Sequence, residues 1–449
     1  MTMAILTRRA FSILLFLTCA TTAWSQGFQG TIRGDVRDPS GALVPGATAT
    51  VVSVATGERR TQITDDVGIF FFPNLLVGDY TITVELPGFK KYTRENVQVS
   101  ANNISPVRAE LEVGVIQDSI VVTTGEEVVN ASTAQLVGVT TRNVVDLPNP
   151  VLSGNPNNIA ILAPGTTTMP GGVAGHGGSI GGNRPRNNNF VVDGVDNNDP
   201  STTGILTPVI AEAVQEFTLI TNQFNAEYGH STAGQFITTT QSGSNNFHGG
   251  AWWYNQNRHT NSLDNLRRAA TPEGGEKPRY DWNRFGGRLG GPIMKEKWFF
   301  FGAYEYQNKT LDASSSSIIR VPTASGLAAL QTLANTAGTG VSPINVGILS
   351  QHVPVASVQT GTINVQDQAT NTAVPIGVGP LDTLTPNFDR THLFLGNSDF
   401  LIGKHHLSGR YSHSSNKFIV PGTLPVPGFN ADADIGTHRI VFSDVFIVG

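Results

Sequence analysis

Across residues 246–449 apolar and polar side chains alternate along extended stretches, and outside the extreme N-terminus no run of roughly 18 apolar residues occurs. Together these two features are restrictive. Alternation at period two belongs to strands with one apolar face. Without a long apolar run, no helix is available to cross a membrane. Such a chain can be a soluble β-rich protein, or one that crosses a membrane with tilted strands of about ten residues. Candidate strands are 247–256, 282–291, 297–308, 390–401, 404–413 and 437–448. In the third, Trp298, Phe300, Tyr304 and Tyr306 share one face, and Glu305 and Gln307 share the other. In the fifth, Leu407 and Tyr411 oppose Ser408, Arg410 and Ser412. The sixth is less regular, because Asp444 falls among Ile440, Phe442 and Phe446. The connections alternate as well. Loops 257–281, 309–389 and 414–436 are long, whereas the turn 292–296 and the link at Gly403 are short.

Only 14% of the 449 residues are charged, against about 25% in ordinary soluble domains, and 49 are glycine. A net charge of −5 gives no reason to expect nucleic-acid binding. Residues 1–25 read as a cleaved secretory signal. Arg8 and Arg9 supply the positive end, Ala10 to Ala20 the apolar stretch, and Ala23-Trp-Ser25 a small-x-small cleavage site. Thr7-Arg-Arg-Ala-Phe11 is also similar to a twin-arginine signal. Cys19 is the only cysteine, so the exported chain would hold neither disulfides nor thiolate-metal sites.

Residues 26–112 read as a small β-sandwich. Asp38-Pro-Ser-Gly41 is a turn, since proline presets φ and glycine accepts positive φ. Tyr80, Ile82 and Val84 alternate with Asp79, Thr81 and Thr83, which buries one strand face. This pattern resembles the carboxypeptidase regulatory-like domain, a transthyretin-like sandwich with a carbohydrate-binding-like fold. Nothing here forms the zinc ligand set of a peptidase. The resemblance leaves open an inert spacer, a glycan-binding module and a partner-docking module.

The stretch Gly178-Ser-Ile-Gly-Gly-Asn-Arg-Pro-Arg-Asn-Asn-Asn-Phe-Val-Val-Asp-Gly-Val-Asp-Asn-Asn-Asp199 sets a Gly/Asn-rich loop against one apolar strand and an Asp-Gly turn. Gly171 to Gly182 lacks the Lys-Ser/Thr of a phosphate loop. Its glycines are expected to let backbone pass close to a barrel wall. Asp193, Asp196 and Asp199 do not follow calcium-loop spacing and read as turn formers. Val144-Val-Asp-Leu-Pro148 and Ile159-Ala-Ile-Leu-Ala-Pro-Gly165 fit short helical or strand elements ending at proline. Together with Ala213 to Gly229 and Gly234 to Gly243, this region resembles the plug domain (126–245) of Oar-like TonB-dependent outer-membrane receptors. Gly290-Gly-Pro-Ile-Met-Lys-Glu-Lys-Trp-Phe-Phe-Phe-Gly302 resembles the first periplasmic turn and strand of the same group's barrel (246–449).

The resemblance implies a mainly β protein: a sandwich, a linker (113–125), an α+β plug and the first strands of an antiparallel transmembrane barrel. The linker segment Asp118, Ser119, Ile120, Val121, Val122, Thr123 and Thr124 resembles a TonB box, which pairs as an added strand with the energy-transducing partner. The last strand of the sandwich, or plain linker, is the other reading of those residues. The plug motif Asn183, Arg184, Asn189, Asp193, Gly194, Asp196, Asn197, Asn198 and Asp199 is expected to face ligand or to latch the plug. Implied partners are a TonB-type protein, outer-membrane lipid and a small ligand, with oligosaccharides among the classes allowed. No cofactor, metal or catalytic constellation is expected. His405 and His406, adjacent on a strand, point to opposite faces and do not chelate together. Six strands cannot close around a plug where about 22 are needed. Hence the expectation of a fragment or a truncated gene that would not transport alone. A cell-surface glycan-binding or adhesion protein is the competing function.

Overall fold

The computed structural model describes residues 29–114, 119–122, 136–141, 154–167, 176–201, 203–222, 228–229, 231–262, 277, 279–313, 319–381, 385–420 and 431–447. The signal-peptide reading of 1–25, the element expected at 144–148, and Asp118, Thr123 and Thr124 lie outside the described residues.

The N-terminal region packs two sheets on one core. Its strands are β1 (Gly30–Arg37), β2 (Thr48–Ser53), β3 (Arg59–Ile63), β4 (Ile69–Leu75), β5 (Gly78–Glu85), β6 (Lys91–Val99), β7 (Ile104–Glu110) and β8 (Ser119–Val122). One sheet has the order β4-β1-β7, the other β3-β2-β5-β6-β8. Alternation sets the burial: Tyr80, Ile82 and Val84 point into a core shared with Ile32, Phe70 and Val97. At the first turn, the Asp38 carboxylate accepts from the Ser40 and Ala42 backbone N–H groups, and Gly41 sits at φ 86°.

The middle region carries β9 (Leu136–Thr141), a 3-10 turn Pro156–Leu162, β10 (Thr166–Thr167), β11 (Ser179–Ile180), β12 (Asn189–Val192), β13 (Val195–Asp196), β14 (Val214–Asn222) and β15 (Gln235–Thr240). Five of the strands form one sheet in the order β13-β12-β15-β14-β9. β12 and β15 are buried along their whole length, so neither shows alternation of buried and exposed residues, and β15 buries Gln235 and Thr238–Thr240 with Phe236 and Ile237. Asp193 and Gly194 join β12 to β13 with φ values of 49° and 74°, the two positive φ angles that a tight hairpin turn requires. The glycines near 177 depart from expectation. A Cβ on Gly177 would lie 2.5 Å from the Phe236 ring, and one on Gly178 would lie 2.7 Å from the Thr167 carbonyl. They admit this region's own core, not a barrel wall.

The C-terminal region is an antiparallel sheet of β16 (His248–Asn257), β17 (Tyr280–Met294), β18 (Trp298–Ala313), β22 (Thr385–Ile402), β23 (His405–Val420) and β24 (Ala431–Phe446), in that order, with β16 and β24 at its edges. The strands run past the expected ends: β23 continues through 414–418 paired with both neighbours, and to Val420 paired with β24. Segment 309–389, expected to be one long loop, instead holds a three-stranded sheet and two helices. These are β19 (Arg320–Pro322), α1 (Ala324–Asn335), α2 (Pro343–His352), β20 (Gly361–Asp367) and β21 (Thr372–Pro380). Thr323 and Ser342 cap the two helices through their side-chain oxygens, a start signal present in the sequence.

The two faces of the large sheet differ. One carries Phe285, Trp298, Tyr304, Phe394, Leu407, Ile440 and Phe442, all exposed. The other buries Phe299, Phe301, Ala303, Glu305, Leu393, Leu395, Asn397, Asp399, His406 and Arg410. That inner face packs on the middle region, so that Phe301, Ala303, Leu393 and Leu395 share a core with Phe190, Phe217 and Phe236. The N-terminal region meets the end of the sheet with the short turns. Asn245 donates to the Ala55 and Thr56 carbonyls, and its side-chain Oδ1 accepts from the Glu296 N–H in the β17–β18 turn at 2.7 Å.

Candidate functional site

The middle region and the inner face of the large sheet meet through two buried polar clusters. The first surrounds the Asp193-Gly194 turn. Hairpin geometry aims the Asp193 carboxylate back across β15, where it accepts from the Thr240 N–H at 2.8 Å and from the Thr240 hydroxyl. The same hydroxyl accepts from Asn397 Nδ2 on β22 at 2.8 Å, and Asn397 also donates to the Gln241 carbonyl. Next along β22, Asp399 accepts from Arg410 at 2.7 Å and lies 3.3 Å from His406 Nε2. Arg410 reaches the Ser242 hydroxyl, and Arg439 on β24 donates to the Val192 carbonyl beside the turn. Arg410 and Arg439 both feel the negative charge of Asp193.

The second cluster centres on Arg284 of β17. Its guanidinium donates to Glu305 on β18 at 3.0 Å and lies 3.5 Å from Glu212 of the middle region. Trp252 and Gln307 also donate to Glu305, and Arg288 donates to the Glu212 backbone carbonyl. Burial, and then the neighbouring Glu305, raise the Glu212 pKa above the usual carboxylate range, opposed by Arg284. A third contact leaves the sheet. Glu216 on β14 accepts from the Ala101 N–H of the N-terminal region at 2.8 Å, and burial raises its pKa too.

These charges are nearly withdrawn from water, where an ion costs several kcal/mol unless it is paired. The arrangement suits holding and releasing, since each contact is a hydrogen bond or ion pair that water could replace. Among the described residues no group of three or more His, Cys, Asp or Glu side chains is placed to hold a metal ion.

The structure distributes the motif residues unevenly. Asn189, Asp193, Gly194 and Asn197 are buried. Asn189 donates to Gln235, Asn197 to the Thr207 carbonyl, and Asn198 to Asn189. Asp196 and Asp199 accept from the N–H groups of Asn198 and Ser201, two residues on, which makes them turn formers. Asn183 is half-buried and Arg184 exposed. Of the box-like segment, Ser119–Val122 form β8, paired parallel to β6. His405 bonds Asp444 on the outer face while His406 bonds Asp399 on the inner, and this explains the irregular Asp444 of the last strand.

Sequence reading placed Glu305 and Arg410 on polar strand faces but missed Glu212, Arg284, Asp399 and Arg439. For Arg284, Asp399 and Arg439 the signal available was a charged residue on a strand; Glu212 sits in a 3-10 turn, Ala211–Ala213, and carries no such signal. The partner of each lies on another strand or in another region, and alternation does not name it.

The chain matches two family models, a carboxypeptidase regulatory-like domain over residues 31–112 and an outer membrane beta barrel domain over residues 239–449. It is 33% identical over 302 residues to the TonB-dependent transporter Oar of Myxococcus xanthus, covering 63% of this chain and 27% of the relative. The chain thus spans about a quarter of that relative's length. Among solved structures, the outer membrane transporter YddB of Escherichia coli matches at 9% identity and a TM-score of 0.44, over 70% of this chain and 37% of that one. The siderophore receptor PirA of Acinetobacter baumannii matches at 17% identity and a TM-score of 0.35, over 68% and 44%.

Proposed function

The chain belongs with the Oar-like TonB-dependent receptors of the outer membrane, and on that premise we propose that it serves energy-coupled uptake of a small ligand. It is of receptor type and not an enzyme. In this reading residues 1–25 direct export and are removed, 26–112 form a periplasmic sandwich, and 113–125 carry the TonB-box-like segment. Residues 126–245 are the plug, and 246–449 supply a section of barrel wall whose apolar outer face meets lipid.

The observation that carries the reading is the chemistry between plug and wall. A plug that must shift cannot be fixed by an apolar seam alone, because opening such a seam exposes its whole area to water. Here the seam includes Asp193–Thr240–Asn397, Arg410–Ser242 and Arg284–Glu212, contacts that can be traded for water. Asp193, Gly194, Asn189, Asn197 and Asn198 act as latch and internal staples. Asn183, Arg184, Asp196 and Asp199 stay at the more accessible surface for ligand. The ligand is small, and oligosaccharides remain one candidate class. A TonB-type protein pulls the segment 118–124 by pairing with it as a strand.

A photo-crosslinking residue at Val121, in cells that express the chain in the outer membrane, tests this. An adduct with the TonB-type protein is expected, absent from a strain lacking that partner. Correct insertion without any adduct would remove the coupling role from this segment.

A further inference from the structure

The outer face of the large sheet carries a row of polar aromatic side chains: Tyr304, His392, Tyr411, His413 and His438. Tyr304 hydrogen-bonds His392 at 2.8 Å, and Tyr411 hydrogen-bonds His438 at 2.9 Å. Between this row and the short turns the same face exposes Leu407, Ile440, Phe442 and Phe446. About ten residues of a tilted strand cross the apolar band of an outer membrane, and His405 to His413 on β23 is such a stretch. The row therefore lies where lipid gives way to water, within reach of ions from outside.

One pair in the row is built differently from the rest. His413 and His438 are direct cross-strand partners on β23 and β24, and their rings stack 4.2 Å apart at 19°. Facing side chains on neighbouring strands have Cβ atoms about 4.5–5.5 Å apart, which lets two imidazoles reach one ion at about 2.0–2.1 Å each. His413 Nδ1 lies 2.8 Å from the Thr437 carbonyl. A carbonyl only accepts, so Nδ1 carries the proton and Nε2 of the neutral ring keeps its lone pair. The Tyr411 hydroxyl can accept from His438 Nδ1 in the same way, which frees the second Nε2. An imidazole whose far nitrogen donates to an oxygen is the usual arrangement of a metal-ligating histidine.

The geometry points to a site for a divalent transition metal ion, Zn²⁺ or Cu²⁺, held by Nε2 of His413 and Nε2 of His438. Imidazole nitrogen suits these ions, whereas Mg²⁺ and Ca²⁺ prefer oxygen. Two protein ligands leave the site open, with water or an outside oxygen donor in the remaining positions. The bound ion ties β23 to β24 toward the outer rim of the wall and stabilises that pairing by mass action. His392 has no such option, because its cross-strand partner on β23 is Ser415. The site follows from strand register and stands apart from the uptake reading.

Cu²⁺ titration of the full chain, purified in detergent without a histidine tag and followed by electron paramagnetic resonance, tests the site. The first Cu²⁺ bound should carry two equatorial imidazole nitrogens and should be displaced by Zn²⁺. His413→Ala and His438→Ala should each weaken this binding about tenfold or more, and His392→Ala should leave it unchanged. Zn²⁺ should also raise the thermal midpoint of the unaltered chain but not that of the His413→Ala chain. A first Cu²⁺ with fewer than two imidazoles in the unaltered chain, a reading that needs no variant, overturns the site. Tight binding that survives His413→Ala, or that is lost equally in His392→Ala, places the ligands elsewhere and overturns it as well.

Discussion

The N-terminal sandwich and the plug–wall interface both bury their contacts, but with opposite chemistry. The sandwich core is aliphatic and aromatic, built from Ile32, Val51, Phe70, Ile82 and Val97. The interface places Asp193, Asp399, Arg410, Glu212, Arg284 and Glu305 out of water beside an apolar contact of Phe301, Ala303, Leu393 and Leu395 with the middle region. Apolar burial is non-directional and is lost only by exposing area. Buried ion pairs add little net stability as a whole, yet breaking one partner is costly. The first chemistry suits a platform that must stay folded, the second a joint that holds one geometry and can let it go.

The sharpest way to break the comparison is Asp399→Ala. It strands Arg410, which also reaches Ser242 of the middle region, and removes the acceptor facing His406; it should destabilise the inner face of the wall against the plug by about 3–5 kcal/mol, read as protease access to the middle region. The double variant Asp399→Leu with Arg410→Met should recover most of that loss. A double variant as damaged as the single would mean that the pair contributes net stability, and the contrast with the sandwich would collapse.

Next in size is Ile82→Ala, which opens a cavity in the fully buried sandwich core and should cost about 3 kcal/mol, measured by thermal unfolding of the N-terminal region. No second substitution at a charged site should rescue it.

The smallest effect sharpens the picture of the joint between the regions. Glu216 has its pKa raised by burial, so the folded state binds this proton more tightly than the unfolded state does. Its contribution to stability is fullest below the ordinary carboxylate value of 4.5 and is lost as pH rises through the raised folded value. Glu216→Gln keeps an acceptor for the Ala101 N–H and should flatten that pH dependence, with a stability change of about 1 kcal/mol or less at neutral pH. An unchanged pH profile would show that Glu216 does not titrate at this contact.

Much of the fold was legible because strands write their faces into the sequence. Trp298, Tyr304, Leu407 and Tyr411 lie on one face of the large sheet, and Glu305 and Arg410 on the other, as alternation predicts. Asp193-Gly194 announced its own turn, since positive φ at both positions limits which residues fit. The insertion at 319–381 is hidden from strand alternation, because its helices announce themselves only through the caps Thr323 and Ser342. The buried pairs were only half legible: a charge on an inner face was visible, its partner was not.

By itself the sequence determined the β architecture, the two faces of the wall strands, the turn at Asp193 and the extended character of 119–122. All of these follow from short-range periodicity and local backbone sterics. Only the tertiary structure decided that Asp399 pairs with Arg410, that Arg284 lies between Glu305 and Glu212, that Glu216 joins two regions, and that 119–122 rests on β6. Those contacts depend on strand register and on the meeting of segments far apart in the chain. An isolated charge or an extended tetrapeptide is compatible with many partners until the fold selects one.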